Sequence, residues 1–235
     1  MIRLLQFKSE TELFDETAAL CIAALRKRLV NGPASLVVSG GSTPKPLFER
    51  LSNTKLNWSD VTILPSDERW LPAEHEASNE RLIRENLLQN KAQGAQFLDL
   101  KTAHDSAFEA EGLISEELKN LSAPHAVTVV GMGPDAHFAS LFPGTAQLKA
   151  GLDITNNKSC IAVDATGCPV AGDYTERMSL TLKEILRSDE IILLFKGQDK
   201  LAIVDRVLQE GLHTEDLPIS YLLQQDQTPV TVCCY

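Results

Sequence analysis

Short apolar runs alternate with amphipathic segments along most of the chain, and this alternation restricts its fold more than any other feature. Apolar side chains recur at helical spacing in Glu10–Val30, which predicts a helix ending near Asn31 and Gly32. The same reasoning predicts helices at Thr43–Asn53, with Pro44 near its first turn, and at Ser78–Leu88, capped by Ser78 or Asn79. It also predicts helices at Ser115–Leu121 and in the second halves of Arg177–Asp189 and Glu190–Gln209. Apolar runs predict strands at Ala34–Gly40, from Trp58 through Trp70, at His125–Gly133, Ser159–Ala165 and Glu190–Phe195.

Strands that alternate with helices require crossover connections, which are right-handed and give parallel neighbours. The predicted fold class is therefore α/β, with a mainly parallel sheet flanked by helices on both faces, a three-layer Rossmann-like arrangement. No internal repeat and no long linker interrupts the pattern, so residues 1–235 are predicted to form a single domain. The segment Lys149–Tyr174 is rich in Asn, Asp, Gly and Thr and is expected to form loops around one strand.

Composition and charge exclude several functional classes. A net charge of -10 argues against general nucleic-acid binding, which depends on clustered Lys and Arg, although it allows an anionic small molecule in a locally cationic cleft. The longest apolar runs fall far short of the roughly 20 residues of a membrane span. Without a signal-peptide pattern, and with five cysteines in no metal-binding or disulfide spacing, we expect a cytoplasmic protein with reduced thiols and no bound metal.

Four polar clusters each follow a predicted strand. In an α/β fold, ligands bind outside the carboxyl ends of the strands, so we expect these clusters to meet in one cleft. The clusters are Ser39–Lys45, Ser66–Trp70, Gly131–His137 and Lys196–Lys200.

The first cluster combines two glycines with two hydroxyl side chains just before a helix. Gly40 and Gly41 let backbone N–H groups approach a ligand, while Ser42 and Thr43 add hydroxyl donors. Such a turn favours a phosphate or carboxylate, although a plain strand-to-helix turn has the same composition. It lacks the lysine of a Walker loop and the spacing of a dinucleotide fingerprint, so no nucleotide cofactor is predicted.

The second cluster offers an anion ligand and a hydroxyl acceptor. Arg69 is suited to bidentate binding of an anionic substrate. Asp67 is suited to accepting hydrogen bonds from sugar hydroxyls or to orienting a neighbour. Glu68 is interpreted as part of a local ion pair at the surface.

The third cluster supplies a candidate general base. His137 follows a glycine turn at a strand end, and Asp135, two residues away, could orient it or a substrate hydroxyl. The remaining histidines lack such neighbours and are interpreted as structural or solvated: His75, His104, His125 and His213. Two further cations, Arg177 and Lys200, are expected to reach the cleft, and Lys200 is preferred to Lys196 because it opens a helix.

Taken together, these segments resemble the 6-phosphogluconolactonase family. The resemblance runs from about Phe14 to Leu208 and rests on five segments in order and spacing: Ser39–Leu51, Asp67–Leu88, Gly131–Gly144, Arg177–Leu182 and Gly197–Lys200. It implies hydrolysis of 6-phospho-D-glucono-1,5-lactone to 6-phospho-D-gluconate in the oxidative pentose phosphate pathway, without metal or nucleotide. It further implies that His137 is the general base, that Ser42, Thr43, Arg69, Arg177 and Lys200 bind substrate or its phosphate, and that the protein is a monomer or homodimer.

The chain departs from the family pattern at two places. It has Ala136-His137-Phe138 where the family usually has Gly-His-Thr, and its last residues lack the usual acidic, alanine-rich ending. Alanine at this position requires a backbone that tolerates a Cβ. Phenylalanine removes a hydroxyl and adds bulk near the predicted base.

Two alternative functions stay open at this stage. Glucosamine-6-phosphate deaminases share the implied architecture, but they have a glutamate in the segment where this chain has Phe142. A catalytically silent sugar-phosphate sensor is the alternative from a different class, and Ala136 and Phe138 are the residues that leave it open.

Overall fold

The computed structural model describes residues 1–121 and 124–235 of the chain. Within these residues the strands are β1 (Ile2–Gln6), β2 (Ala34–Val38), β3 (Val61–Pro65), β4 (Asp67–Arg69), β5 (Gln96–Phe97), β6 (Val127–Val130), β7 (Cys160–Asp164), β8 (Glu176–Leu180), β9 (Ile191–Phe195) and β10 (Val230–Cys234). The helices are α1 (Glu10–Leu29), α2 (Lys45–Ser52), α3 (Asn79–Asn86), α4 (Ala107–Lys119), α5 (Leu148–Leu152), α6 (Leu182–Leu186), α7 (Gln198–Glu210) and α8 (Ile219–Gln224). In these two ranges, no helix is long and apolar enough to cross a membrane.

Seven of the strands form one parallel sheet in the order β1-β10-β9-β6-β2-β3-β5. The predicted α/β fold class is therefore confirmed. The strand order also predicts where a ligand would bind. Connections after β2 lead away to β3 and β5, whereas β6, on the other side of β2, leads towards β9 and β10. The loops that follow β2 and β6 diverge at this switch point, and a crevice opens between them.

Both faces of the large sheet are buried, as parallel sheets require. Successive side chains of β9 point to opposite faces: Ile191 and Leu193 join one apolar cluster, while Ile192 and Leu194 join the other. Helices α1, α2 and α3 cover the second cluster, and α4 to α8 cover the first. This double burial explains why the strands read as continuous apolar runs rather than alternating ones.

The structure corrects the prediction of one long strand from Trp58 through Trp70. Trp58–Asp60 forms a 3-10 turn, and the remaining residues divide between β3 in the large sheet and β4 in a separate sheet. That second sheet is antiparallel, in the order β4-β8-β7. Ser66 joins the two sheets, and its N–H donates to the Val38 carbonyl at 2.8 Å.

Other differences concern the ends of elements and the terminal strands. The helix predicted at Ser115–Leu121 begins earlier, at Ala107, because Ser106 caps it with its hydroxyl. Strands β1, β5 and β10 and helices α5 and α8 were not predicted. Ser78, of the two candidate caps for α3, is the one that accepts a hydrogen bond from the Arg81 N–H.

The predicted structural role of His125 fits its surroundings. The ring is fully buried, with Nδ1 2.7 Å from the Ser35 hydroxyl and Nε2 3.0 Å from the Glu184 carboxylate. Both ring nitrogens therefore have partners inside the fold, as buried polar groups require.

Candidate active site

A cleft of about 220 Å³ opens at the carboxyl ends of β2, β6 and β9 and against the small sheet. It brings together most of the predicted site residues: Gly40, Gly41, Thr43, Asp67, Arg69, His137, Arg177 and Lys200. Two predicted residues do not line it. Ser42 is exposed beside the cleft, and Asp135 lies behind His137.

The turn after β2 needs both of its glycines. Gly41 has a φ of +85°, a left-handed conformation that side chains disfavour. A Cβ on Gly40 would lie 1.9 Å from Oδ1 of Asn79, so only glycine allows α3 to pack this closely against the turn. The backbone of the turn is thereby held at the cleft next to Thr43 and the start of α2.

Asp135 fixes the orientation of His137. The Nδ1 atom of the imidazole lies 2.5 Å from Oδ1 of Asp135, which leaves Nε2 as the ring nitrogen available for chemistry. Burial opposes ionisation of Asp135, but the hydrogen bond and charge of His137, together with backbone N–H groups, hold its pKa below the usual value. A carboxylate at Nδ1 is the arrangement that orients a general base.

The backbone around His137 is unusually constrained. Gly133 donates its N–H to the His137 carbonyl at 2.8 Å, and a Cβ on Gly133 would lie 2.2 Å from the imidazole. Ala136 has a φ of +64°, so the alanine found in place of the family's glycine occupies a left-handed conformation. Its carbonyl accepts from the Ile219 N–H at 2.9 Å, which ties this turn to the start of α8.

The two phenylalanines that follow His137 take different places. Phe138 is fully buried in the apolar core, so the bulk expected near the base does not enter the cleft. Phe142 does line the cleft, with its ring centroid 4.2 Å from that of His137. The guanidinium carbon of Arg177 lies over the same phenyl ring, 5.7 Å from the Phe142 centroid.

The small sheet places two arginines side by side. Arg69 of β4 and Arg177 of β8 are directly opposed in the antiparallel register, so both side chains point to the same face. Burial lowers the pKa of Arg177, the charge of Asp67 opposes that shift, and the charge of Arg69 reinforces it. Two opposed like charges are unfavourable unless an anion lies between or beside them.

Backbone carbonyls hold each guanidinium. Nη1 of Arg69 donates to the Ala77 carbonyl at 2.9 Å and to Oδ1 of Asn79 at 2.8 Å. Nε and Nη2 of Arg177 donate to the carbonyls of Tyr174 and Ala171, both at 2.6 Å.

Asp67 lies between the small sheet and the turn that carries His137. Its carboxylate accepts from the hydroxyls of Ser66 and Ser140, at 3.0 Å and 2.6 Å, and is 4.0 Å from Nη1 of Arg177. Its position at the cleft leaves acceptor capacity for a ligand hydroxyl.

Lys200, in the first turn of α7, is the third cation of the cleft. Burial lowers the pKa of its ammonium group, while the charge of Asp135 opposes that shift. Lys196 instead pairs with Glu10 at 3.0 Å at the surface, in agreement with the preference for Lys200.

The prediction that Glu68 forms a surface ion pair is wrong. Side chains alternate along β4, so Asp67 and Arg69 face the cleft while Glu68 turns to the N-terminus of α3. It is 1% exposed and accepts from the backbone N–H groups of Arg69, Asn79 and Glu80 at 2.7, 2.8 and 2.6 Å. The Ser78 hydroxyl donates a fourth hydrogen bond at 3.1 Å.

Several lining residues were missed by the sequence reasoning. Asn79 was considered only as a helix cap, and Phe142 only as a position without a carboxylate. Others received no individual role: Ser39 and Met132 lie inside two of the predicted clusters, Ala139 follows His137, Leu194 lies near the end of β9, and Val170 and Ala171 come from the segment expected to be irregular. No local pattern marks Asn79, because its partner Arg69 lies across a loop. Across the described residues, no three His, Cys, Asp or Glu side chains converge as metal ligands would.

Comparisons of the sequence and of the whole fold relate the chain to known proteins. The profile of a family described as glucosamine-6-phosphate isomerases/6-phosphogluconolactonase matches residues 8–231. A 6-phosphogluconolactonase of Caulobacter vibrioides is 36% identical over 98% of this chain and 96% of its own length. One from Rhizobium meliloti is 37% identical over 94% and 91%. The crystal structure of a 6-phosphogluconolactonase from Shewanella baltica superposes with a TM-score of 0.91 at 37% identity, covering 100% of this chain and 97% of that one.

The buried position of Glu68 predicts a pH-dependent stability. Burial raises the pKa of Glu68 from 4.5 to about 6, although three backbone N–H groups donate to it. Between these pH values the folded protein keeps a proton that the unfolded chain releases. The free energy of unfolding should therefore fall by about 2 kcal/mol as pH rises through this window, because one pKa unit corresponds to about 1.4 kcal/mol.

Urea unfolding of the wild type and of Glu68→Gln across this pH range measures the effect. The free energy of unfolding of the wild type, minus that of Glu68→Gln, should decline as pH rises and then level off. Glu85→Gln, at an exposed position of α3, the helix that Glu68 caps, is the control and should not show this decline. A constant difference for Glu68→Gln as well would contradict the prediction.

Proposed function

The chain belongs to the glucosamine-6-phosphate isomerase/6-phosphogluconolactonase family, and we propose that it is an enzyme that hydrolyses 6-phospho-D-glucono-1,5-lactone to 6-phospho-D-gluconate. One observation carries the proposal beyond the names of its relatives. The cleft that holds the carboxylate-oriented imidazole of His137 also holds three cationic side chains, those of Arg69, Arg177 and Lys200. A base and an anion site within one small cleft suit a phosphorylated substrate with a hydrolysable bond.

His137 activates water in the proposed reaction. Its Nε2 atom accepts a proton from a water molecule, whose oxygen attacks the C1 carbonyl of the lactone. The resulting tetrahedral oxyanion collapses and breaks the bond between C1 and the ring oxygen. The imidazolium then returns the proton to that ring oxygen, so the product carries a C1 carboxyl group and a free hydroxyl. Asp135 holds the ring in position and stabilises its charged form.

The cations and the glycine turn supply the proposed phosphate site. Backbone N–H groups at Gly40 and Gly41, with the hydroxyl of Thr43, can donate to phosphate oxygens. Lys200 and Arg177 add charge, and a dianionic phosphate would relieve the repulsion between Arg177 and Arg69. Asp67 is proposed to accept a hydrogen bond from a sugar hydroxyl. Ser42, exposed outside the cleft lining, is left without a role in this arrangement.

Phe142 favours lactone hydrolysis over the deaminase alternative. A ring-opening deaminase needs an acid/base group beside the histidine, and here a phenyl ring packs against the imidazole. The silent-sensor alternative requires a defect in the base, whereas His137 keeps both its carboxylate partner and its place at the cleft. A place in the oxidative pentose phosphate pathway, a cytoplasmic location, a single domain and a monomeric or homodimeric state stay predictions.

Replacing His137 tests the proposed base. His137→Ala should reduce kcat by roughly 10²–10⁴-fold, the usual contribution of general-base catalysis. The assay generates the lactone enzymatically and follows its loss, with a protein-free sample to correct for spontaneous opening. His213→Ala, a histidine outside the cleft lining, is the control and should retain activity. A folded His137→Ala protein with wild-type kcat would refute the role.

Replacing Lys200 tests the proposed phosphate site. Lys200→Met should raise KM for the lactone by roughly 10- to 100-fold, because a hydrogen bond to a charged group is worth about 1.5–3 kcal/mol. The matched control is Lys196→Met, which removes a lysine just before α7 that pairs with Glu10 at the surface. Equal KM values for the two variants would place the phosphate elsewhere.

A further inference from the structure

Two loops border the cleft, and each fixes one of its arginines through a backbone carbonyl. The 70–78 loop joins β4 to α3 and offers the Ala77 carbonyl to Nη1 of Arg69, at 2.9 Å. The 165–175 loop joins β7 to β8 and offers the Tyr174 carbonyl to Nε of Arg177, at 2.6 Å. The position of each guanidinium therefore depends on the position of a loop.

His75 and Tyr174 connect these two loops directly. The Tyr174 hydroxyl lies 3.2 Å from Nε2 of His75, and the two rings meet edge to face with centroids 4.9 Å apart. The pair is here called the His75–Tyr174 clasp. It is a contact between residues 99 positions apart in the chain, and neither residue lines the cleft itself.

The second nitrogen of His75 extends the connection to Arg69. Nδ1 accepts a hydrogen bond from the Ala77 N–H at 3.1 Å, so the proton of the neutral ring lies on Nε2 and is donated to the Tyr174 oxygen. Hydrogen bonds thus run from Arg69 to Ala77, from Ala77 to His75, and from His75 to Tyr174, whose carbonyl holds Arg177. A continuous set of contacts links the two arginines around the outside of the cleft.

We propose that the His75–Tyr174 clasp is a positioning device that sets the spacing of Arg69 and Arg177 for the phosphorylated substrate. The two guanidinium groups repel each other across the strands, and a loop that moved would take its carbonyl acceptor away from the arginine that it holds. The clasp opposes that movement. The inference rests on the proposed function, because it assigns the two arginines to an anionic ligand. It places the effect in substrate binding and leaves proton transfer at His137 unchanged.

Two conservative substitutions remove the clasp without removing its neighbours. Tyr174→Phe keeps the ring and deletes the hydroxyl. His75→Asn keeps an acceptor near the position of Nδ1 for the Ala77 N–H and deletes the contact to Tyr174. Each should raise KM for the lactone, and Kd for 6-phosphogluconate by calorimetry, about three- to tenfold, the effect of one uncharged hydrogen bond. The kcat of each should stay within about twofold of wild type, because His137 and Asp135 are untouched.

The double variant provides the decisive comparison. If the two side chains act through one contact, His75→Asn/Tyr174→Phe should be no worse than the more affected single variant. The pair His213 and Tyr221 is the matched control, since its rings also pack together, with centroids 3.9 Å apart, outside the cleft lining. His213→Asn and Tyr221→Phe should leave KM and Kd within about twofold of wild type.

Three results would overturn the inference while the wild type remains active. They are unchanged KM and Kd in both single variants, a fall in kcat at constant KM, and effects of the two substitutions that simply add in the double variant. Failure of the proposed function has a different signature, namely a wild type that does not hydrolyse the lactone. In that event the Kd for 6-phosphogluconate still tests the clasp, and a wild type that also fails to bind 6-phosphogluconate overturns both.

Discussion

The opposition of Arg69 and Arg177 across two antiparallel strands is the constraint on which the rest of the site depends. Like charges facing each other in a half-buried cleft are unfavourable, and the surrounding structure is arranged to hold them there. Backbone carbonyls accept from both guanidinium groups, and Asp67 lies 4.0 Å from one of them. An anion bound beside the two arginines would offset this repulsion, and the small sheet is therefore the anion site that we propose.

The topology of the large sheet places this proposed anion site close to His137, the proposed base. Strand β2 ends in the glycine turn and β6 ends in the turn that carries His137, and their connections diverge at the switch point between them. The small sheet lines a third side of the cleft, in addition to the turns after β2 and β6. Glu68 links it to α3 by capping that helix with a buried carboxylate, so the strand that presents Arg69 and the helix that presents Asn79 are fixed together. Rigid placement of this kind is what a small polar site requires.

Local signals made much of this predictable from the sequence. Most strands, most helices and the four polar clusters are recognisable from apolar spacing and glycine turns, and most of the named residues do meet in one cleft. The failures share a physical origin in long-range pairing. The antiparallel pairing of β4 with β8 joins residues more than a hundred positions apart and decides which way Asp67, Glu68 and Arg69 point. Without it, Glu68 reads as a surface charge and Asn79 as a cap alone.

We propose that this cleft hydrolyses a lactone that it selects by its phosphate. The most direct measurement compares the rates at which the wild-type protein opens 6-phosphogluconolactone and unphosphorylated glucono-1,5-lactone, each corrected for spontaneous hydrolysis. We expect the protein to accelerate opening of the phosphorylated lactone, with a kcat/KM at least about 100-fold above that for glucono-1,5-lactone. The reason is that the unphosphorylated lactone cannot make the charged contacts to the phosphate. Equal acceleration of both lactones, or of neither, would contradict it.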